Sequence, residues 1–149
     1  MITVTPTTDM ALVERIFRDP SVWGMVIDDD APEDWEPPEG PGFDYLLIAD
    51  DGEPVGVFGL FGGICRELHT AVLPQARGKG TFEAGQLMLA WLWTNTEARK
   101  LVTWVPAFNI AAKIAAERGG MAMEGNNTAS FPRGGKLFDT YLFGIRKEP

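Results

Sequence analysis

The sequence predicts one α/β domain, built on a mixed, mostly antiparallel sheet of six to seven strands with flanking helices. Three observations predict this fold class. Seven apolar runs of strand length are separated by turn residues or by helical segments. Asp51-Gly52 joins two of these runs as a β-hairpin turn. A helical segment separates the runs at 65–73 and 100–106, which is typical of a central parallel β-α-β unit.

Length and composition limit the function classes. A chain of 149 residues has the size of a single domain, so we expect one domain over residues 1–149. The 21 acidic and 13 basic residues give a net charge of −8, which argues against nucleic acid or an anionic membrane surface as a partner. No run approaches the roughly 20 apolar residues of a membrane-spanning helix, and no targeting signal is recognisable. We therefore expect a cytoplasmic protein.

The cysteine count supports the same expectation. Cys65 is the only cysteine, so neither a disulfide within the chain nor a cysteine zinc site can form. A reducing compartment is the natural location for such a chain. We expect Cys65 to be a small buried apolar residue rather than a nucleophile, and we predict no metal site.

The first elements are a strand and two helices. Residues 2–5 alternate apolar and polar side chains as a short strand does. Thr8 or Asp9 can cap the helix that follows, in which three apolar residues share one face: Met10, Val13 and Phe17. Pro20 restarts the chain, and residues 22–27 are predicted to form a second short helix.

Residues 28–42 form an acidic, proline-rich segment that is predicted to be a surface loop. It is either a plain solvated connection or a negative surface that favours a cationic substrate or a basic partner. Trp35 within it is predicted to be exposed. The carboxylates concerned are Asp28, Asp29, Asp30, Glu33, Asp34 and Glu36.

The middle of the chain contains three strands and a long helix. The strands are predicted at 43–50, 54–61 and 65–73, and the last of them stops at Pro74. The helix over 81–95 is apolar nearly all round, so we expect it to be covered on most sides. The five tryptophans of the chain and the apolar segment GVFGLFGGI leave room for a homodimer contact.

The last third of the chain contains a strand, a helix and two further strands. A strand is predicted over 100–106, and Asn109 then caps a helix over 110–118 that ends at two glycines. Residues 121–125 and 136–146 are predicted to be strands, with a loop between them that contains Asn126, Asn127, Pro132, Gly134 and Gly135.

The turn between Val72 and the long helix carries the strongest chemical signal. A glycine-rich turn at a helix start leaves backbone N–H groups free to bind an anion, and the helix dipole adds to that attraction. Arg77-Gly78-Lys79-Gly80 adds two positive side chains, so a pyrophosphate would fit there. A simple connecting turn is the alternative. Asn109 is expected at the same edge of the sheet, where open α/β sheets bind ligands.

Two segments resemble the GCN5-related N-acetyltransferase (GNAT) family. VLPQARGKGTF (72–82) resembles the family's pyrophosphate loop, V-x-P-x-x-R-G-x-G-x-G/A. NIAAKIAAERGGM (109–121) resembles its N-x-x-A…G-F segment, with Met121 where phenylalanine is usual. The resemblance extends over nearly the whole chain in element order. The matching residues are Val72, Pro74, Arg77, Gly78, Gly80, Asn109, Ala112 and Gly120.

The resemblance implies a fold and a cofactor. It implies a GNAT-like sheet in which acetyl-CoA lies in a V-shaped gap between the 65–73 and 100–106 strands. Backbone groups near Ala71 and Val72 would pair with pantetheine, and Asn109 would contact the cofactor. Phe82 stands where the family prefers glycine or alanine, and the family's tyrosine falls at Ala116. The pyrophosphate would be held by Arg77, Gly78, Lys79, Gly80, Thr81 and Phe82.

Acetyl transfer to an amine needs a base, and three residues are candidates for the catalytic site. Glu67 and His69 lie two apart on one predicted strand, so their side chains emerge on one face. His69 is the only histidine, and an imidazole exchanges protons readily near neutral pH. A histidine that is simply hydrogen-bonded within the sheet is the alternative. Tyr141, with Tyr45 besides, is a candidate proton donor.

The function predicted on this basis is transfer of an acetyl group from acetyl-CoA to a primary amine of a small molecule or protein. The acidic loop favours a cationic acceptor. The alternative is a non-catalytic GNAT-like structural or interaction protein, such as those encoded among tailed-phage virion genes. Phe82 and Ala116 favour that alternative, whereas the 77–80 turn and Asn109 argue against it.

Overall fold

The computed structural model describes all 149 residues. It contains seven strands, four α-helices and one short 3₁₀ turn. In chain order these are β1 (Ile2–Pro6), α1 (Met10–Phe17), α2 (Pro20–Val26), β2 (Phe43–Asp50), β3 (Glu53–Gly62), β4 (Cys65–Val72), the 3₁₀ turn (Pro74–Ala76), α3 (Lys79–Asn95), β5 (Lys100–Pro106), α4 (Ile110–Arg118), β6 (Ala122–Arg133) and β7 (Lys136–Arg146).

The strands form one sheet in the order β1-β2-β3-β4-β5-β7-β6. Every neighbouring pair is antiparallel except β4 and β5, which are parallel and are joined through α3. This arrangement confirms the predicted fold class, including the central parallel pair. None of the helices is long and apolar enough to cross a lipid bilayer.

Helices cover both faces of the sheet, and each face has its own core. On the α1–α2 face, side chains such as Val57 and Ala71 pack with Val13 of α1. On the α3–α4 face, Phe58 and Leu60 pack with residues of α3 and α4. Because side chains alternate along a strand, the buried run in β3 supplies both cores.

The helix caps follow from the sequence. The Asp9 side chain accepts a hydrogen bond from the Leu12 N–H at 3.1 Å, and the Asn109 side chain accepts one from the Ala112 N–H at 3.1 Å. Asp19 caps α2 in the same way through Ser21. These bonds satisfy N–H groups that the first turn of a helix leaves without partners.

The structure corrects the loop predicted between 126 and 135. β6 continues to Arg133 and pairs with β7 almost to the turn, which is made by Gly134 and Gly135 with φ values of 59° and 77°. The register shifts between Asn127 and Phe131. β6 is an edge strand, where a proline is tolerated because its nitrogen can face away from the ladder.

Three smaller expectations were also wrong. Trp35 is partly buried, packed edge-on against Phe17 and Trp23. Cys65 is exposed rather than buried. The helix α3 is buried only along the face of Ala84, Met88 and Leu92, while Phe82 and Leu87 are 49% and 40% exposed, so it is not covered on most sides.

Candidate functional site

A gap opens in the middle of the sheet between β4 and β5. The two strands pair over only three residue pairs, the last of which is Glu67 with Val102. Just beyond it, the Thr103 hydroxyl donates a hydrogen bond to the Leu68 carbonyl at 3.0 Å, where a backbone donor would stand in a continuous ladder. From there the strands diverge, and the edge of β4 is left without a strand partner on that side.

Alternate residues of β4 turn their backbone groups into the gap. The Leu68 carbonyl faces β5, so the backbone N–H and C=O groups of Thr70 and Val72 face the same way. The Leu73 N–H donates to the Val55 carbonyl at 2.8 Å, so Leu73 and, with it, Ala71 face β3 instead. Of the two residues predicted to pair with pantetheine, Val72 therefore faces the gap and Ala71 does not. Thr70 was missed because its role depends on register.

The glycine-rich turn lies at the mouth of this gap. Gly78 is the residue before α3 and has φ 86° and ψ −121°, a conformation that a residue with a Cβ rarely adopts. No side chain caps α3, and its first turn contains no acidic residue. The first-turn amides, with Lys79, Gly80 and Thr81, therefore form a positive end that can bind an anion.

The charged side chains of the turn have different surroundings. Arg77 Nε donates to the Val72 carbonyl at 3.2 Å, and its Nη2 donates to the Ser21 carbonyl at 2.8 Å. Arg77 therefore ties the end of β4 to α2. Lys79 is exposed and forms no ion pair. Lys79 is thus the side chain that is free to meet a phosphate.

The remaining cofactor candidates stand near the surface. A Cβ at Gly80 would lie 3.6 Å from Ile2 Cδ1, an ordinary contact, so no clash demands glycine there. Phe82 does not enter the core, since it is 49% exposed. Asn109 uses its Oδ1 as a helix cap, which leaves its Nδ2 donors for a ligand.

Glu67 and His69 form a pair on the α1–α2 face beside the gap. His69 Nε2 lies 3.3 Å from Glu67 Oε1, and the His69 ring stacks on Phe61 at 4.6 Å. The hydrogen bond from His69 lowers the pKa of Glu67, burial opposes this shift, and the charge interaction with His69 adds to it. When the ring is neutral and its Nε2–H points to the carboxylate, Nδ1 is left as a proton acceptor.

The two tyrosines lie away from that pair. Tyr141 packs on the α3–α4 face, where Lys113 Nζ lies 5.9 Å from its ring centroid. The sheet therefore separates it from Glu67 and His69, and the expected grouping of these three residues is absent. Tyr45 is 4% exposed, and its hydroxyl donates to the Pro38 carbonyl at 2.6 Å. Burial raises the pKa of Tyr45 far above its usual range, which makes it a poor proton donor.

Trp104 was not predicted as a site residue. It lies two residues past Val102 on β5, as His69 lies two past Glu67 on β4, so the two side chains flank the opening gap on the α1–α2 face. Trp104 is 43% exposed. The alternation of β5 could have indicated this face, but not the partner across the gap.

The turn between β6 and β7 closes the mouth from the other side. Arg133 Nη1 donates to Met25 Sδ at 3.6 Å, and its guanidinium lies 4.3 Å from the Phe108 ring centroid. The Asp29 N–H donates to the Pro132 carbonyl at 2.9 Å. Since Arg77 holds the first turn of α2, this helix lies across the mouth of the gap.

The carboxylates of the acidic loop do not point together into the gap. Asp28 Oδ1 accepts a hydrogen bond from the Asp30 N–H at 3.0 Å, and Asp29 Oδ2 accepts one from the Gly135 N–H at 3.3 Å. The other carboxylates of the loop are exposed. No cluster of potential metal ligands is present in the structure.

A surface depression of about 720 Å³ lies elsewhere. It is lined by Asp44 and Arg66, at the opposite end of β4 from the gap, and by residues 94–97. Arg66 is committed to an ion pair with Asp44 and a bond to the Leu60 carbonyl. This depression is wide, open and polar, so the gap is the better candidate site.

Solved structures share this architecture. A protein provisionally assigned as a phosphinothricin N-acetyltransferase matches with a TM-score of 0.80 over 100% of both chains, at 19% identity. An acetyltransferase of the GNAT family from Streptococcus pneumoniae matches with a TM-score of 0.79 over 99% of this chain and 100% of its own, at 17% identity. The fold is that of the GNAT acetyltransferases. The opening between the parallel strands is thus a feature of a GNAT fold.

A third neighbour carries ligands. The spermidine N-acetyltransferase from Vibrio cholerae in complex with CoA and spermine matches the GNAT fold of this chain with a TM-score of 0.78. It covers 97% of this chain and 95% of its own, at 16% identity. No protein-family model and no curated protein matches the sequence.

Proposed function

We propose that this protein transfers an acetyl group from acetyl-CoA to a primary amine. The observation that carries the proposal is the gap between β4 and β5, which has the Glu67–His69 pair beside it and the start of α3 at its mouth. The neighbours with this fold include a spermidine N-acetyltransferase in complex with CoA and spermine. They also include a protein provisionally assigned as a phosphinothricin N-acetyltransferase. Their acceptors differ, so the fold alone does not choose the amine.

The residues present fit the cofactor. Thr70 and Val72 offer backbone groups along the gap, as an extended amide-bearing chain requires. The first turn of α3 and Lys79 offer positive charge to the phosphates, and no acidic residue of that turn opposes them. Asn109 Nδ2 adds a donor at the same edge. Acetyl-CoA supplies the activated thioester.

The chemistry then needs one proton acceptor and one proton for the thiolate. An amine bound beside His69 loses its extra proton to Nδ1, while Glu67 holds the ring and stabilises its positive charge. The free amine attacks the carbonyl carbon, a C–N bond forms, and the C–S bond breaks. The second amine proton goes to solvent or to the departing sulfur, so the products are an amide, the free thiol and one proton.

Two further assignments belong to this proposal. We place the protein in the cytoplasm, where the exposed Cys65 thiol would stay reduced. A homodimer stays a prediction, and sedimentation of the purified protein would decide it. A non-catalytic protein is the outcome if acetyl-CoA does not bind.

Calorimetric titration with acetyl-CoA tests the proposal directly. We expect micromolar binding, weakened about tenfold by Lys79→Glu because this change places negative charge at the α3 start. Arg99→Glu makes the same charge reversal just before β5, at the end of the sheet opposite the mouth, and should bind like wild type. Desulfo-CoA is the ligand control. Lack of binding at millimolar acetyl-CoA would rule the proposal out.

A further inference from the structure

Arg133 carries a partly buried charge that no carboxylate neutralises. It is the last residue of β6, and its guanidinium stacks on Phe108 at 4.3 Å. Its hydrogen bond, from Nη1 to Met25 Sδ at 3.6 Å, is a weak one to sulfur. None of the ion pairs of the structure includes it.

This isolation is unusual in so acidic a chain. The protein has 21 acidic residues for 13 basic ones, and a guanidinium that is removed from water without a partner is unfavourable. Asp29 lies near the same turn, but its carboxylate accepts a hydrogen bond from the Gly135 N–H and forms no ion pair with Arg133. Arg133 therefore keeps most of its five N–H donors free.

Its place in the fold relates this charge to the candidate site. Phe108 follows β5 and Met25 lies near the end of α2, so the guanidinium borders the mouth of the gap. His69 lies on the same face of the sheet, three residues or about 10 Å along β4 from Val72 at the mouth. A small molecule on this face can therefore have one end at His69 and the other near Arg133.

We propose that Arg133 binds an anionic group of the acceptor, so that the acceptor is an amine that also carries a carboxylate or phosphate-like anion. This inference rests on the proposed function. A guanidinium pairs with such anions through two parallel N–H···O bonds, and the contact with Phe108 restrains the position of this one. The acceptor amine meets Glu67 and His69, while its anion meets Arg133.

The same chemistry could instead serve a phosphate of the cofactor. We favour the acceptor because the first turn of α3 and Lys79 already provide the positive end at the β4 side of the mouth. Arg133 stands on the opposite side, attached to the β6–β7 turn and α2. If the anion belongs to the acceptor, replacing Arg133 should raise the acceptor KM. If it belongs to the cofactor, the same change should raise the acetyl-CoA KM.

Acetyl transfer to matched amines tests the inference. The panel contains 4-aminobutyrate and 6-aminohexanoate, together with the alkylamines and diamines of equal length. We expect the wild type to use the anionic amines with at least tenfold higher kcat/KM than their neutral or dicationic counterparts. Arg133→Gln should remove this preference by raising the acceptor KM about tenfold, with the acetyl-CoA KM unchanged within twofold. The acceptor KM of Arg133→Lys should lie between the values of the wild type and of Arg133→Gln.

Arg146→Gln is the matched control, because Arg146 is exposed at the opposite end of β7. It should behave like wild type. Equal use of alkylamines or diamines by the wild type would overturn the inference, as would an Arg133→Gln effect on the acetyl-CoA KM alone. If Arg133→Gln does not fold, the amine preference of the wild type and the acceptor KM of Arg133→Lys still test the inference. Acetyl-CoA binding without transfer to any amine, or no binding at all, would instead remove the proposed function and this inference with it.

Discussion

At the scale of single residues, the Glu67–His69 pair is the clearest chemical feature. The carboxylate lies 3.3 Å from Nε2, and this interaction is the main reason that the pKa of Glu67 is lowered. Glu67 is therefore a carboxylate throughout the neutral range and fixes the direction of the ring. Its role is to position His69, whose other nitrogen faces the acceptor in the proposed reaction.

Replacing these residues should separate their roles. We expect His69→Ala to lower kcat by about 100-fold or more, since it removes the general base. Glu67→Gln should lower kcat by a smaller factor because the ring remains but is held less well. Neither change should alter the acetyl-CoA KM by more than about twofold. Glu53→Gln, on an exposed carboxylate of β3, is the control in the same steady-state assay. Wild-type kcat in His69→Ala would show that His69 is a structural residue of the sheet.

Tyr45 makes a prediction about alkaline stability. Its folded-state pKa is raised by burial, so the folded state keeps the phenol proton above pH 10 while the unfolded chain loses it. This contribution is constant below about pH 10 and is lost as the pH rises further. In thermal scans, the Tm of Tyr45→Phe should therefore fall less steeply than that of the wild type between pH 10 and 12.

At neutral pH the same variant should be less stable by about 1 kcal/mol, because the Pro38 carbonyl loses its donor. Tyr141→Phe is the control, since the Tyr141 hydroxyl forms no side-chain hydrogen bond within the protein. An alkaline limb that is identical in Tyr45→Phe and wild type would contradict the assignment.

At the scale of elements, the α3 start depends on one backbone conformation. A Cβ at Gly78 would meet nothing within 4 Å, so the expected cost of Gly78→Ala comes from its φ of 86° alone. We expect a loss of roughly 1–3 kcal/mol in denaturant unfolding, together with weaker acetyl-CoA binding.

Gly85 provides an internal comparison in the middle of α3. A Cβ there also meets nothing within 4 Å, but the backbone is helical. Gly85→Ala should therefore stabilise the protein by about 0.5–1 kcal/mol. If both alanines have the same effect, the conformation of Gly78 is not what fixes the start of the helix.

The elements also show where sequence reasoning fails. Caps and turns were predictable, since Asp9, Asn109 and Asp51-Gly52 act through neighbours within a few residues. β6 was predicted to stop at residue 125 because asparagines and a proline usually end strands. Pairing with β7 overrides that local preference as far as Arg133.

At the scale of the whole molecule, the fold class and the central parallel pair could be predicted from the strand pattern, but the composition of the site could be predicted only in part. Spacing placed Glu67 and His69 on one face, whereas Tyr141 could be assigned to a face only after its register with β5 was known. Trp104 and Arg133 reach the site through contacts between distant segments. No local pattern carries that information.

Cofactor binding should stabilise the whole molecule. Acetyl-CoA at about 100 times its Kd should add about 2.7 kcal/mol to the free energy of unfolding. For a chain of this size that corresponds to a rise in Tm of about 5–10 °C. Amide hydrogen exchange should slow at Thr70 and Val72 in particular, because their groups face the gap. Unchanged exchange there, despite a higher Tm, would place the ligand elsewhere.

The short junction between β4 and β5 also has a mechanical consequence. β1 begins the chain on one side of it and β7 ends the chain on the other, so tension applied to the two ends is carried across three parallel residue pairs and the Thr103–Leu68 bond. This junction has fewer residue pairs than any other pair of neighbouring strands in the sheet, so we expect it to part first under load. A molecule lying in the gap would hold both halves together, and the loaded protein should rupture at a higher force than the empty one.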